Sequence, residues 1–139
     1  MHAVIDTNVL LYDTFEDLPF HHKARRLLDS LDRWYVPPIV LQEYVWFFRR
    51  KNLPVKLARS MLSEYLDDPR FNRLNDNGGE SIVYALELIE KNSLSLSRFN
   101  DAIILYHALQ RSYPPLATFD KKFRKLAVKN GVEVLPAKV

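Results

Sequence analysis

Ala3-Val4-Ile5-Asp6-Thr7-Asn8, near the start of the chain, is the stretch on which the fold turns. Three apolar residues in a row, two of them β-branched, read as a short strand buried on both faces, as parallel strands between helices are. An acid, a hydroxyl and an amide follow at once, and helical rather than hairpin character comes next. Outward from there, Trp34-Tyr35-Val36, Leu116-Ala117 and Val132-Glu133-Val134-Leu135 repeat the short apolar pattern, and a further short strand is expected near Phe71–Leu74. Helical periodicity occupies roughly 20–32, 38–51, 54–67, 79–92, 98–112 and 120–130. Pro37-Pro38, the run Asn75 to Gly79, Pro114-Pro115 and Gly131 punctuate these segments. Strands alternating with helices imply an α/β fold, a short and mostly parallel central sheet flanked by helices. Neither repeats nor linkers divide it, so residues 1–139 are expected to form a single domain. In such sheets ligands bind beyond the carboxyl ends of the strands, which makes the residues after each strand the first to inspect.

Composition excludes several kinds of chemistry. The 139 residues include no cysteine, so disulfides, iron–sulfur clusters, thiolate zinc sites and a cysteine nucleophile are ruled out. No apolar run approaches the roughly 18 residues a membrane span needs. The opening residues lack a basic leader and reach an aspartate at position six, from which a cytoplasmic protein without a signal peptide is expected. Twenty basic and 17 acidic side chains leave a net charge of +3, too small to signal a nucleic-acid partner alone. Its distribution is more informative. Residues 44–59 hold Arg49, Arg50, Lys51, Lys56 and Arg59 with no acid, and residues 121–129 hold Lys121, Lys122, Arg124, Lys125 and Lys129, again with none. Residues 64–90 carry seven acids against Arg70 and Arg73. Such segregation suits a polyanion lying along one side, although solvated helix faces produce charge runs too.

Four carboxylates lie in segments that read as buried. Asp6 follows the first strand and Asp120 follows Leu116-Ala117-Thr118-Phe119; either alone is an ordinary helix N-cap. Glu43 sits in Ile39–Phe48, a helix apolar nearly all round, where Leu41, Tyr44, Val45 and Phe48 share one face and Ile39, Val40, Trp46, Phe47 and Arg50 flank the acid. A glutamate there is costly unless paired, with Arg50 as the internal candidate, or bound to a cation. Asp101 is set against Ile104, Leu105 and Ala108, with Ser97 as a candidate cap and the helix dipole as the simpler account of its charge. If the four meet, each ionised pair about 4 Å apart costs about 4 kcal/mol at an effective dielectric near 20, and their pKa values rise unless a divalent cation neutralises them. All-oxygen donors suit Mg²⁺ or Mn²⁺, and the matching chemistry is phosphodiester hydrolysis. Asn8 and Thr118 are placed to orient a ligand carboxylate or water.

These motifs, taken in order, resemble the PIN-domain family, and in particular the VapC-type toxins of toxin–antitoxin pairs. The resemblance rests on Val4-Ile5-Asp6-Thr7-Asn8, on Leu41-Gln42-Glu43 after the proline-flanked second strand, on Asn100-Asp101-Ala102 leading into a helix with Ala108, and on Leu116 to Phe123 before a short helix and terminal strand. It covers nearly the whole chain. It implies a metal-dependent endoribonuclease that cuts single strands, with Asp6, Glu43, Asp101 and Asp120 as ligands of one or two Mg²⁺ or Mn²⁺ ions and Asn8 and Thr118 in support. Arg49, Arg50, Lys121, Lys122 and Arg124 become the expected phosphate contacts, and a homodimer and a small antitoxin the expected protein partners. No acid lies between Asp101 and Asp120, so the site has at most these four.

Other signals weigh less. The four histidines lack ligand spacing, His107 reading as a packing residue, and the three glycines form no phosphate-binding loop. A haloacid-dehalogenase-like phosphatase needs a second Asp where Asn8 stands, and an RNase H-like site needs a hairpin after the first strand. The alternatives to a toxin are a housekeeping PIN nuclease of RNA processing or decay and a non-catalytic RNA-binding or scaffold module that retains the acidic pocket.

Overall fold

The computed structural model describes residues Met1–Val139. In chain order the elements are β1 (His2–Ile5), α1 (Thr7–Thr14), α2 (His21–Asp29), β2 (Arg33–Val36), α3 (Pro38–Arg50), α4 (Val55–Asp67), β3 (Phe71–Arg73), α5 (Glu80–Lys91), α6 (Phe99–Leu109), β4 (Leu116–Ala117), α7 (Lys121–Lys129) and β5 (Val134–Leu135), with 3₁₀ turns at Asn77–Gly79 and Leu96–Arg98. The five strands form one sheet of order β3-β2-β1-β4-β5, parallel at every pairing. Val4 stands opposite Tyr35 of β2 and Leu116 of β4. The sheet is therefore wholly rather than mostly parallel, and the strand expected near residue 71 is its edge.

This order creates a switch point. From β1 the chain moves outward to β2 and then β3, returns across the sheet to β4 on the other side of β1, and continues to β5. Adjacent strands β1 and β4 thus send their following segments in opposite directions, which opens a crevice at their carboxyl ends. Asp6 leaves one lip and Thr118-Phe119-Asp120 the other. The sheet pairing continues into both, with Asp6 N–H on the Ala117 carbonyl at 3.0 Å and Thr118 N–H on the Leu135 carbonyl at 3.0 Å.

Burial explains why these elements form. Ala3, Val4 and Ile5 are completely enclosed, as are Leu116 and Ala117, which is the environment short parallel strands need. Trp34 joins them, its indole N–H satisfied by the Leu28 carbonyl at 3.0 Å. Pro38 occupies the first turn of α3, where its fixed φ and missing N–H do no harm.

Two expectations need correction. Helix α1, Thr7-Asn8-Val9-Leu10-Leu11-Tyr12-Asp13-Thr14, is the helical character expected after the first strand, but none of the six bounded segments includes it. It is buried on most sides, its Thr7, Val9, Leu10, Leu11 and Asp13 all inside, so it carries no amphipathic stripe to read. The faces of α3 also differ. Val40, Tyr44, Phe47 and Phe48 enter the core, while Val45 and Trp46 are exposed. The core stripe sits closer to the 40, 44, 47 spacing than to the 41, 45, 48 one.

A second polar cluster lies away from the crevice. Buried Asp13 is paired with Arg25 and accepts from the Tyr65 hydroxyl at 2.6 Å. Thr14, bonded to Tyr44 and Tyr65 at 2.8 and 3.0 Å, ties α1 to α3 and α4. Every member has a partner, as buried polar groups require, and the cluster locks helices together. No helix of the molecule is long and apolar enough to cross a membrane.

Candidate functional site

Each of the four acids arrives on a different element. Asp6 is the N-cap of α1: its Oδ1 accepts from Thr7 N–H at 2.7 Å, and its Oδ2 accepts from the Thr118 hydroxyl at 2.7 Å. Asp120 is the N-cap of α7, its Oδ1 accepting from the N–H groups of Lys122 and Phe123 at 2.9 and 3.2 Å. Both aspartates are thus helix caps that spend one carboxylate oxygen, Oδ1, on the helix N–H groups. Asp101 lies in the first turn of α6, where the helix dipole favours a negative charge.

Glu43 does not pair with Arg50. Its Oε1 accepts from the Thr7 hydroxyl at 2.5 Å and its Oε2 from the Asn100 amide at 3.2 Å. Thr7 and Asn100 are the neighbours in sequence of Asp6 and Asp101, so the two strand-end and helix-start motifs grip the third acid between them. Ser97 does not cap α6; its hydroxyl bonds Ser95 instead, and the N-cap position is Arg98.

Thr118 and Asn8 connect the lips of the crevice. The Thr118 hydroxyl donates to Asp6 and accepts from the Asn8 amide at 3.3 Å and from Asp120 N–H at 3.1 Å. Asn8 accepts in turn from Phe119 N–H at 3.2 Å. One hydroxyl with all its hydrogen-bonding capacity used thus fixes Asp6 relative to Asp120; Asn8 acts through Thr118 rather than on a carboxylate directly.

The electrostatics of the group are set first by burial and then by neighbouring like charges. Burial first, then the Asp101 charge and to a smaller degree Glu43, push the Asp6 carboxyl up to about 8, against the hydrogen bonds from Thr118 and Thr7. Burial likewise pushes Asp101 up to about 6, with Asp120 and Glu43 adding to it and Arg98 opposing it. The Arg98 guanidinium donates to Asp101 at 3.0 Å and lies 3.9 Å from Asp120. Sequence reasoning did not find Arg98; its place three residues before Asp101 on a helix start was the available signal. Tyr12 was missed as well. Burial, followed by the charges of Asp120 and Asp6, raises its phenol above the ordinary tyrosine value, and its ring meets Phe119 edge-on at 5.5 Å.

As placed, no three acidic or imidazole side chains close into a metal cage, Arg98 lying between Asp101 and Asp120 instead. The donor set nonetheless fits a hard divalent cation: carboxylate oxygens only, one of them deeply buried, with mutual repulsion that a cation would relieve. His107, by contrast, is buried elsewhere against Asp76 at 3.3 Å, and burial lowers its proton affinity. Of the basic residues singled out, Arg49, Arg50, Lys121 and Lys122 are exposed. Arg124 is engaged, donating to the carbonyls of Thr118 at 2.9 Å and Pro136 at 2.5 Å, and so ties the end of β4 to the C-terminal residues.

Comparison with known proteins agrees with this fold. Among solved structures, that of VapBC2 from Rickettsia felis bound to a DNA fragment from their promoter aligns with a TM-score of 0.69 and 21% identity, over 96% of this chain and 97% of the other. VapC20 of Mycobacterium tuberculosis, described as a Sarcin-Ricin loop cleaving toxin, aligns with a TM-score of 0.69 and 16% identity, over 88% and 93%. A toxin–antitoxin complex from Klebsiella pneumoniae gives 0.62 and 20%, over 99% and 95%. No curated protein sequence matches. The sequence profile of the PIN domain matches residues 3–129, nearly the whole chain, and the chain belongs to the PIN-domain family.

Proposed function

We propose that the protein is a divalent-metal-dependent endoribonuclease, the toxin of a VapBC-type toxin–antitoxin pair, hydrolysing RNA phosphodiester bonds at the crevice between β1 and β4. The observation that supports this reading is the set of hydrogen bonds linking the acid-bearing elements, Thr118 to Asp6 and to Asp120 N–H, Thr7 and Asn100 to Glu43 and Arg98 to Asp101, with burial first and the Asp101 and Glu43 charges after it lifting Asp6 to about 8. Charges of one sign held together against such a cost are the mark of a functional site.

In this reading Asp6, Glu43, Asp101 and Asp120 hold Mg²⁺ or Mn²⁺, one or two ions to a site. The bound metal supplies a water of lowered pKa and a positive charge for the leaving oxygen. The chain's own residues do the positioning. Thr118 and the Thr7 N–H orient Asp6; Thr7 and Asn100 orient Glu43; Asn8 holds Thr118. Arg98, beside Asp101 and Asp120, is a fixed cation at the edge of the cluster, suited to a phosphate oxygen. Arg49, Arg50, Lys121 and Lys122 contribute phosphate contacts on either side. Arg124 serves the same surface indirectly, by holding the strand end that carries Thr118.

The partners of this reading are an RNA substrate, a second copy of the chain and a small antitoxin in the cytoplasm. The toxin–antitoxin assemblies among the structural neighbours support the antitoxin, and the sarcin–ricin loop cleaving toxin supports RNA. The test is cleavage of RNA by purified protein in Mn²⁺, Mg²⁺ or EDTA, beside Asp6→Asn and Asp101→Asn. Metal-dependent cutting, reduced at least about a hundredfold in both variants, is the expected result. A folded wild type, freed of any co-purifying small protein, that cuts no RNA in either metal would remove the reading in favour of a binding module.

A further inference from the structure

On α3, Glu43, Trp46 and Arg50 fall at i, i+3 and i+7 and so line one side of the helix, leading outward from the carboxylate cluster. With Arg49 they surround a hollow of about 310 Å³. Trp46 is 53% exposed, an unusual position for the largest apolar side chain. Neither Arg49 nor Arg50 makes an ion pair. Arg50 instead lies over the Phe47 ring, 5.7 Å from its centroid. The structure thus presents a flat aromatic face between a site carboxylate and two free guanidinium groups.

We propose that Trp46, flanked by Arg49 and Arg50, is a subsite that stacks one unpaired nucleobase of the substrate next to the scissile phosphate. The inference rests on the nuclease reading and deepens it, because it names an unpaired base as the feature recognised. Charge selects this occupant. A second copy docking on the same stripe by two-fold symmetry would bring Arg49 and Arg50 against their own equivalents. A single-stranded polyanion satisfies both guanidinium groups while its base covers the indole, the combination of basic groove and aromatic platform that binds single strands. Continuity with Glu43 places that base within a residue or so of the reacting bond. Paired RNA cannot use the site, since its bases already stack on one another.

The molecule carries its own reporter. It has two tryptophans, and Trp34 is 1% exposed, so quenchable emission comes from Trp46. The experiment titrates the full chain with hexauridylate in EDTA, where nothing is cut, and follows tryptophan fluorescence. Quenching of the exposed component is expected with the wild type. Trp46→Ala should bind about fivefold to hundredfold more weakly by a label-free method, and Trp46→Phe should recover most of that loss. Circular dichroism and the buried Trp34 emission check folding. A hexamer of abasic sugars should bind the wild type no better than it binds Trp46→Ala. Equal binding of hexauridylate to wild type and Trp46→Ala, with metal-dependent cutting by the wild type intact, would overturn the subsite and leave the nuclease reading standing. Loss of both cutting and binding in the wild type would overturn both. Polyglutamate quenching Trp46 as strongly as RNA does would reassign the stripe to an acidic protein partner and likewise overturn the proposal.

Discussion

Asp6 caps a helix and anchors the acidic cluster, and the two roles act on its proton in opposite senses. The cap hydrogen bond and Thr118 favour the carboxylate; burial and the neighbouring acids favour the acid form, and they win, leaving the group near 8 against an ordinary 3.8. A carboxyl raised in the folded state gives a contribution that is fully present below its ordinary value and is lost as pH rises through the folded value. In EDTA, therefore, the contribution of Asp6 to stability should fall steadily from about pH 4, where the unfolded carboxyl ionises, to about pH 8, and level off above that. Asp6→Asn, neutral throughout, should not follow that slope and at pH 7.5 should melt higher, by about 1 kcal/mol or a few degrees once its imperfect bond to Thr118 is counted. Adding Mn²⁺ should reverse the order, because only the wild type gains from binding the ion. Thermal melts across pH, with and without metal, check both halves.

Among the elements, α7 separates structure from chemistry most cleanly. Asp120 accepts from two N–H groups at its start, so Asp120→Ala should cost about 1 kcal/mol of stability as well as activity. Asp120→Ser keeps a capping oxygen and removes the charge; it should melt within about 0.5 kcal/mol of the wild type and still fail to cut RNA. Denaturant titration and the cleavage assay read the two effects apart. The elements legible beforehand were those with a pattern to read: strands marked by β-branched runs, and helices such as α2 and α7 whose apolar stripe faces a charged one. Helix α1 was legible only as helical character after β1, without bounds, because burial on most sides erases periodicity. In α3 the apolar residues go nearly all round, so its existence was plain while its core face was off by about one position. The four acids stood out because each interrupts an apolar segment. Thr7, Asn100 and Arg98 did not, since a threonine, an asparagine or an arginine at a helix start is commonplace, and only the fold brings them onto Glu43 and Asp101.

Across the molecule, two exposed basic pairs stand on the elements that carry or follow site acids. Arg49 and Arg50 stand on one side, on α3, while Lys121 and Lys122 open α7 on the other, and all four are exposed. A single strand crossing the site meets both pairs. If each neutralises one phosphate, the logarithm of the binding constant should fall with the logarithm of salt concentration with a slope of about −3. Removing Lys121 and Lys122 together should reduce that slope by about half, measured with a short RNA in EDTA. A slope near zero would take these residues out of the interface. Arg124→Ala should behave differently, lowering stability while leaving the slope unchanged, because its guanidinium is spent on backbone carbonyls.

The sheet order has a consequence for the making of the protein. Strand β1 is synthesised well before its neighbour at the crevice, β4, and Asp6 receives its orienting hydroxyl from Thr118, 112 residues further on. A ribosome that has just passed Asp101 has produced Asp6, Glu43 and Asp101, but no opposite lip to hold them against. The four acids can therefore be held in place only after β4 and Asp120 have left the exit tunnel. A chain cut short before Thr118 should lack the hydroxyl that orients Asp6, and with it the second lip of the crevice.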